Sequence, residues 1–312
     1  MGSLLNIFRW LMKKMRKNSD YLVKTLAFNG ELRVYAATTT KLVSVANENI
    51  NAYPTAIAAL GRVLTVTVMM GGMLKGRETV TVRINGNGPL GLVIADANAH
   101  GQVRGYVTNP RVHLQFDSGK LNVGMAVGTQ GDLYVTKDLG LKDYFTGQVP
   151  LQTGEIGDDF TYYFTKSEQI PAAVGVGVGV SEDQEILAAG GFIIQVMPGA
   201  SEATISRVEQ ALAEVGAVSE LIAANLTPEE LVAKLVGEAN FKVLETMPLA
   251  FECNCSHEKF ATGLASLGNA ELDEMIHKDN GAETICHFCM KSYQFTATEL
   301  LQLKSEACEN AE

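Results

Sequence analysis

The chain has 312 residues, five cysteines, 46% hydrophobic residues and a formal net charge of −10. That length suggests about two domains with a substantial core, and no apolar run is read as long enough to cross a bilayer. The acidic balance argues against a phosphate-backbone binder, and cysteines mostly in metal-type spacing do not make a secreted disulfide framework, so the expected location is cytoplasmic.

Residues 1–19 carry five basic residues and no acid. On a helical wheel Leu4, Leu5, Ile7, Phe8, Leu11, Met12 and Met15 share one arc, with Arg9, Lys13, Lys14, Arg16 and Lys17 opposite. A basic amphipathic helix of this kind suits an anionic membrane surface. The plainer reading, an upstream start ahead of the folded protein, is favoured over membrane contact. The order of charged and apolar residues does not fit a secretory signal.

From Asp20 to about Pro198 the pattern is strand-rich, with glycine punctuation. Tyr21–Phe28, Asn29-Gly30 and Glu31–Ala37 read as a hairpin with a tight primed turn. Pro54–Met70 reads as a helix opening at proline. Thr79–Ile84 alternates like a half-buried strand. Further β segments are expected at Leu90–Ala95, Val103–Thr108, Leu133–Val135, Ala172–Val180 and Ile186–Val196. Residues 20–198 are therefore expected to form an α+β domain.

Several motifs in this stretch fail on context. Gly86-Asn87-Gly88-Pro89-Leu90-Gly91 matches a dinucleotide fingerprint, which must open a helix. Here Pro89 and the β-prone Leu92-Val93-Ile94 follow, so a turn between strands is expected. Gly175, Gly177 and Gly179 leave one strand face bare, as close packing of another element requires. Asp158-Asp159 beside Gly157 reads as helix-start or turn chemistry rather than an acid–base pair. His100 and His113 lack ligand-type neighbours. No nucleophile elbow, Walker loop or zinc-protease helix is present, and the chain is read as neither an enzyme nor a nucleotide binder.

Residues 199–246 are expected to be helical. Ile205, Val208, Leu212 and Val215 recur at helical spacing. A second helix starts at Thr227-Pro228-Glu229-Glu230, a capping box with proline at the first position, and shows Leu231, Leu235 and Val236 on its apolar face. Val218, Leu221, Ile222 and Leu226 lie between. So much apolar surface must rest on something. It is either a linker packed on the sheet domain or a surface uncovered conditionally, and the local pattern favours the first.

Residues 247–312 hold four basic against eleven acidic residues. They also hold Cys253-Asn254-Cys255 and Cys286-His287-Phe288-Cys289. Four thiolates at short-long-short spacing can close a tetrahedral zinc site, two corners from each knuckle. Only one residue separates the first pair, which brings its sulfurs near enough to oxidise onto each other. The expected anchors of this small domain are Phe251, Phe260, Leu264, Leu267 and Phe288. A zinc-ribbon nucleic-acid module and a thiol–disulfide oxidoreductase built on Cys286 and Cys289 are the competing readings. The local acidity opposes the first, and no thioredoxin-like setting supports the second.

Distinctive segments run through the chain: Asp20-Tyr21-Leu22-Val23-Lys24, Gly88-Pro89-Leu90-Gly91, Ala95-Asp96-Ala97-Asn98-Ala99 and Phe145-Thr146-Gly147-Gln148-Val149. Ser167-Glu168-Gln169-Ile170-Pro171, Ala188-Ala189-Gly190-Gly191-Phe192, Val243-Leu244-Glu245 and the two cysteine pairs complete them. With these the chain resembles the redox-regulated 33-kilodalton heat-shock chaperonins of bacteria, the HslO family, over roughly residues 20–303. Asp20 matches the usual start of that family, and Cys308 matches nothing in it.

The resemblance implies a stress-response holdase that needs no ATP, inactive when reduced and zinc-bound, and active when oxidised. It implies that Cys253, Cys255, Cys286 and Cys289 hold one zinc and form the redox disulfides, Cys253 with Cys255 and Cys286 with Cys289. It further implies unfolding client proteins as partners, no nucleic acid, and a homodimer in the oxidised state. The expected organisation is an extension (1–19), a sheet-rich α+β core (20–198), a helical redox-responsive linker (199–246) and a small four-cysteine zinc domain (247–312). Local disulfides close only tiny loops, so they constrain the unfolded chain far less than zinc stabilises the fold. Oxidation then melts the zinc domain, and client binding is expected on the linker at Leu212, Leu221, Ile222, Leu226 and Leu235.

Overall fold

The computed structural model describes residues 19–309 apart from 217 and 225, so the basic segment read at 1–19 lies outside the described residues up to position 18. β1 (Tyr21–Ala27) and β2 (Leu32–Thr38) pair antiparallel, with Ala27 opposite Leu32. The expected two-residue turn is in fact a wider loop, because Phe28, Asn29 and Gly30 all take positive φ, at 47°, 55° and 97°. The physical reason is Phe28, whose ring leaves the strand to pack on a neighbouring apolar layer.

α1 (Thr40–Ile50) escapes the sequence pattern because its N-terminus has no local side-chain cap. The carboxylate of Asp20, 22 residues away, accepts the Leu42 N–H at 2.7 Å instead. α2 (Pro54–Gly71) has proline in its first turn and buries 17 of its 18 residues. By length and composition it is apolar enough to cross a membrane, contrary to the sequence reading. However, it is buried inside the protein, where an all-round apolar helix is what two facing sheets require.

β3 (Thr79–Asn85), β4 (Leu92–Asn98) and β5 (Gln102–Val107) follow, each alternating buried and less buried residues. The glycine-rich stretch at 86–91 is a loop between β3 and β4 with no helix after it, as expected. α3 (Val123–Val127), β6 (Asp132–Asp138), β7 (Phe145–Pro150) and α4 (Gly157–Lys166) complete this region. Asp159 is fully buried at the start of α4. It accepts N–H groups from Gln152, Thr153 and Gly154 through Oδ1 and from Ile156 through Oδ2, at 2.7–3.3 Å. The Asp158-Asp159 pair is thus helix-start chemistry, as its setting suggested.

β8 (Ala172–Val180) and β9 (Ile186–Val196) pair antiparallel. A Cβ on Gly175 would fall 2.5 Å from the Phe192 ring and 2.9 Å from Val218, so the bare strand face does admit close neighbours. Three helices come next: α5 (Glu202–Val215), α6 (Val218–Ala223) and α7 (Pro228–Val236). α7 begins with the capping box read from the sequence, Thr227 Oγ1 accepting from Glu230 N and Glu230 Oε2 from Thr227 N. β10 (Phe241–Pro248) and β11 (Ala250–Phe251) end this part of the chain.

One sheet runs β10-β1-β2-β9-β8 and the other β11-β5-β4-β3-β6-β7, with only the β11–β5 pairing parallel. α2 lies between the two sheets in one continuous core with Leu22, Tyr35, Val82, Val93 and Ile193. The opposite face of the five-stranded sheet, with Val23, Val34, Ala36, Phe192 and Ile194, is covered by α5, α6 and α7. The helical stretch read at 199–246 therefore packs on the sheet and gives its last residues to β10. This compact unit extends to Glu252 rather than 246, because β10 and β11 are pinned by strand pairing to β1 and β5.

Residues from Cys253 onward form a second compact unit. It holds α8 (His257–Ala265), α9 (Asn269–His277), the hairpin of β12 (Gly281–Ile285) and β13 (Ser292–Thr296), and α10 (Ala297–Glu309). Its core is Leu264, Leu272, Ile276, Tyr293, Phe295 and Leu300, with Phe260 packed on it. Two expected anchors, Phe260 and Leu264, belong there. Phe251 packs in the first unit instead, Leu267 is exposed, and Phe288 is only partly buried and not part of that core.

Candidate metal centre

Cys253 and Cys255 occupy the extended segment ahead of α8, whose N-cap Ser256 accepts from Lys259 N. Cys286 and Cys289 lie in the turn joining β12 to β13. That turn is closed by Cys286 N donating to Lys291 O at 3.0 Å and Met290 N donating to Cys286 O at 2.7 Å. Met290 takes a φ of 56° to complete it.

The four Sγ atoms all lie within 4.8 Å of one another. The short contacts run between the knuckles, Cys253 to Cys286 at 3.6 Å and Cys255 to Cys289 at 3.4 Å. All four cysteines are free thiols, with Cys286 buried and the others half-buried. A tetrahedral zinc with sulfurs at about 2.3 Å needs sulfur–sulfur edges of about 3.8 Å. The cage has that size and the donor set that soft divalent metals prefer, so these residues fit a zinc ion. Among the described residues no other group of histidine, cysteine and carboxylate side chains converges in this way.

The electrostatics of the cage favour a cation at its centre. Burial pushes the Cys253 thiol up. Burial, reinforced by hydrogen bonds with the other three sulfurs, pushes Cys289 up to about 12. Burial acts the same way on Cys255, yet hydrogen bonds from the Tyr293 hydroxyl and the neighbouring thiols hold it down to about 7. Four sulfurs this close cannot all ionise against their mutual repulsion unless a positive ion sits among them.

Two of the histidines are engaged otherwise. The His257 ring stacks on Phe295 with centroids 4.2 Å apart, and its Nε2 faces the Gln294 carbonyl at 3.3 Å. His113 Nδ1 lies 3.4 Å from Thr55 Oγ1 in the first unit. Tyr293, whose hydroxyl is 3.2 Å from Cys255 Sγ, was missed by the sequence reading. The available signal was the alternation of Tyr293 and Phe295 in a short strand after the second pair, which places both side chains on the core face.

The five linker residues read as a client surface also come together, in the first unit. Leu221, Ile222 and Leu235 are buried, and Leu212 and Leu226 are partly buried, all in the layer between α5–α7 and the five-stranded sheet. In this structure that surface is covered.

Comparison with known proteins adds the lineage. A model of the Hsp33 protein family matches residues 20–296. The 33 kDa chaperonin of Geobacillus kaustophilus (strain HTA426) is 56% identical over 289 residues, spanning 92% of this chain and 98% of that protein. The 33 kDa chaperonin of Bacillus pumilus (strain SAFR-032) is 55% identical over 288 residues, with 92% and 99% covered. The crystal structure of the Thermotoga maritima 33 kDa chaperonin superposes with a TM-score of 0.85 at 32% identity, covering 93% of this chain and 99% of that one.

Proposed function

The chain belongs to the Hsp33 family of heat-shock chaperones, and on that premise we propose that it is a redox-regulated, ATP-independent holdase of the cytoplasm. The observation that carries this reading is the cage of four sulfurs within 4.8 Å in a unit whose own core is six buried residues. So small a core gives little stability by itself, whereas a structural zinc supplies about 10–16 kcal/mol. Zinc, when bound, holds the four sulfurs as thiolates and ties the two knuckles together.

In the reduced state Cys253, Cys255, Cys286 and Cys289 hold the metal, and the protein is inactive. On oxidation each local pair, Cys253 with Cys255 and Cys286 with Cys289, forms one sulfur–sulfur bond. Each pair gives two electrons to one molecule of hydrogen peroxide, and two protons complete its reduction to two waters. The cage is dismantled, because a disulfide sulfur is no longer an anionic ligand. A bridge spanning two or three residues restrains the unfolded chain very little in return. Residues 253–309 then lose their fold, and the chain that follows β10 and β11 is no longer folded.

The helical layer α5–α7 opens in turn, and Leu212, Leu221, Ile222, Leu226 and Leu235 hold unfolding clients. Each such side chain returns about 1.5–3 kcal/mol when reburied against a client. No nucleotide takes part, and the opened surface also supports a homodimer. The decisive experiment measures zinc content and suppression of a model protein's aggregation before and after peroxide treatment. The expected result is one zinc and no protection when reduced, then no zinc and full protection when oxidised. Protection that is equal in both states overturns the reading.

A further inference from the structure

The sulfurs of the cage do not receive their hydrogen bonds in the same way. Cys253 Sγ meets the Cys286 sulfur at 3.6 Å, and Cys289 Sγ meets the Cys255 sulfur at 3.4 Å. Cys255 Sγ also faces a side-chain hydroxyl, that of Tyr293 at 3.2 Å, which donates when the sulfur is a thiolate. Tyr293 is 8% exposed and is part of the apolar core of its unit. Its ring lies 5.1 Å from that of Phe260 by centroid, and Lys291 Nζ sits 5.1 Å above it. The hydroxyl is therefore held in place by the core and not by the cysteine knuckles.

Resting on the metal-site reading above, we infer that Tyr293 is a positioning residue of the sulfur cage, coupling metal retention to the packing of residues 253–309. Four thiolates around one divalent ion leave two excess negative charges on the sulfurs. Donors to those sulfurs spread that charge and fix their direction, as outer-shell partners of metal ligands do generally. Three consequences follow from Tyr293 supplying such a donor. Loosening the core withdraws a hydrogen bond from Cys255, losing the metal frees the hydroxyl, and the two events reinforce each other. The fold and the metal site then fail together rather than one after the other.

The test uses the full chain, reduced, as wild type, Tyr293→Phe and Phe295→Leu. Tyr293→Phe keeps the ring and removes only the donor. It is expected to bind zinc about 10- to 100-fold more weakly in competition with a chromogenic chelator. It is also expected to shift the thiolate-to-metal absorption band of the cobalt-substituted protein, while the melting of the metal-free protein stays as in wild type. Phe295→Leu, which loosens the core that carries Tyr293, is expected to lower melting and to weaken zinc binding together. Wild-type zinc affinity and an unshifted band in Tyr293→Phe overturn the inference. If Tyr293→Phe does not fold, 3-fluorotyrosine at position 293, a stronger donor of the same shape, must raise zinc affinity, and an unchanged affinity overturns the inference equally. Reduced wild type that holds no zinc overturns the functional reading itself, whereas zinc held equally by wild type and Tyr293→Phe overturns only this inference.

Discussion

The Tyr21 hydroxyl donates to Glu229 Oε2 at 2.6 Å, joining residues 208 positions apart. Tyr21 opens the first strand and Glu229 lies in the first turn of α7, so the bond ties the helical layer to the sheet it covers. Tyr21→Phe keeps the ring, which is 4% exposed, and removes one bond to a carboxylate. A loss of about 1.5 kcal/mol is expected. It should appear as faster amide exchange across 228–236 in the reduced protein, with α2 unchanged. Equal acceleration in α2 would show that the tie is not local.

The sulfur cage predicts its own dependence on each corner. Cys286→Ser replaces the buried sulfur with a poor zinc ligand and is expected to abolish stoichiometric zinc. X-ray absorption of the wild type should show sulfur alone around the metal. Peptide mapping after peroxide is expected to find Cys253 joined to Cys255 and Cys286 to Cys289. The short contacts run between the knuckles, at 3.4 and 3.6 Å, so a cross-linked product is the outcome that would contradict the melting of this unit.

Replacing Leu221, Ile222 and Leu226 with serine acts on both states. In the reduced protein the first two side chains leave a buried layer, so the helices should detach more readily, by about 1.5–3 kcal/mol per residue. In the oxidised protein the same change removes apolar surface offered to clients. The expected pattern is more proteolysis at 218–226 when reduced, weaker aggregation suppression when oxidised, and normal zinc binding. Full suppression by the oxidised variant would place the client surface elsewhere, on the sheet that the helices had covered.

Asp20 predicts a pH dependence. Burial pushes its carboxyl from 3.8 up to about 6, outweighing the N–H groups of Leu42, Lys41 and Thr40 that favour the ion. The folded protein therefore binds this proton more tightly than the unfolded chain. That contribution is fully present below about pH 4 and is lost as pH rises through about 6. A shift of about two units corresponds to about 3 kcal/mol. Asp20→Asn keeps an oxygen for the Leu42 N–H and removes the titration. Its denaturant midpoint, relative to wild type, should rise between pH 4 and pH 7 and then level off. A constant difference across that range would refute the assignment.

Asp159 predicts a purely structural loss. Its buried carboxylate accepts from four backbone N–H groups, those of Gly154 and Ile156 in buried bonds, so Asp159→Ala strands these two and frees the other two. Stranded buried donors cost about 1–3 kcal/mol each, and a total above about 3 kcal/mol is expected. Thermal unfolding of the first unit should show it while the zinc content stays at wild-type level.

Strands with period-two alternation, such as Thr79–Asn85, and the proline-led helix Pro54–Gly71 were legible in the sequence because their signals are local. The same holds for the capping box at Thr227 and for the paired cysteines, whose spacing alone brings each pair's sulfurs to one knuckle. Other features depend on partners distant in the chain. α1 is capped by Asp20 from 22 residues back, Phe28 is drawn out of its turn by a helical layer, and Cys255 is met by Tyr293 from 38 residues on. The tertiary structure alone decided which surface covers the apolar faces of α5–α7, namely one face of the five-stranded sheet, and that β10 joins that sheet. A helical face records only that it is apolar, and what buries it is settled by the element that folding brings against it.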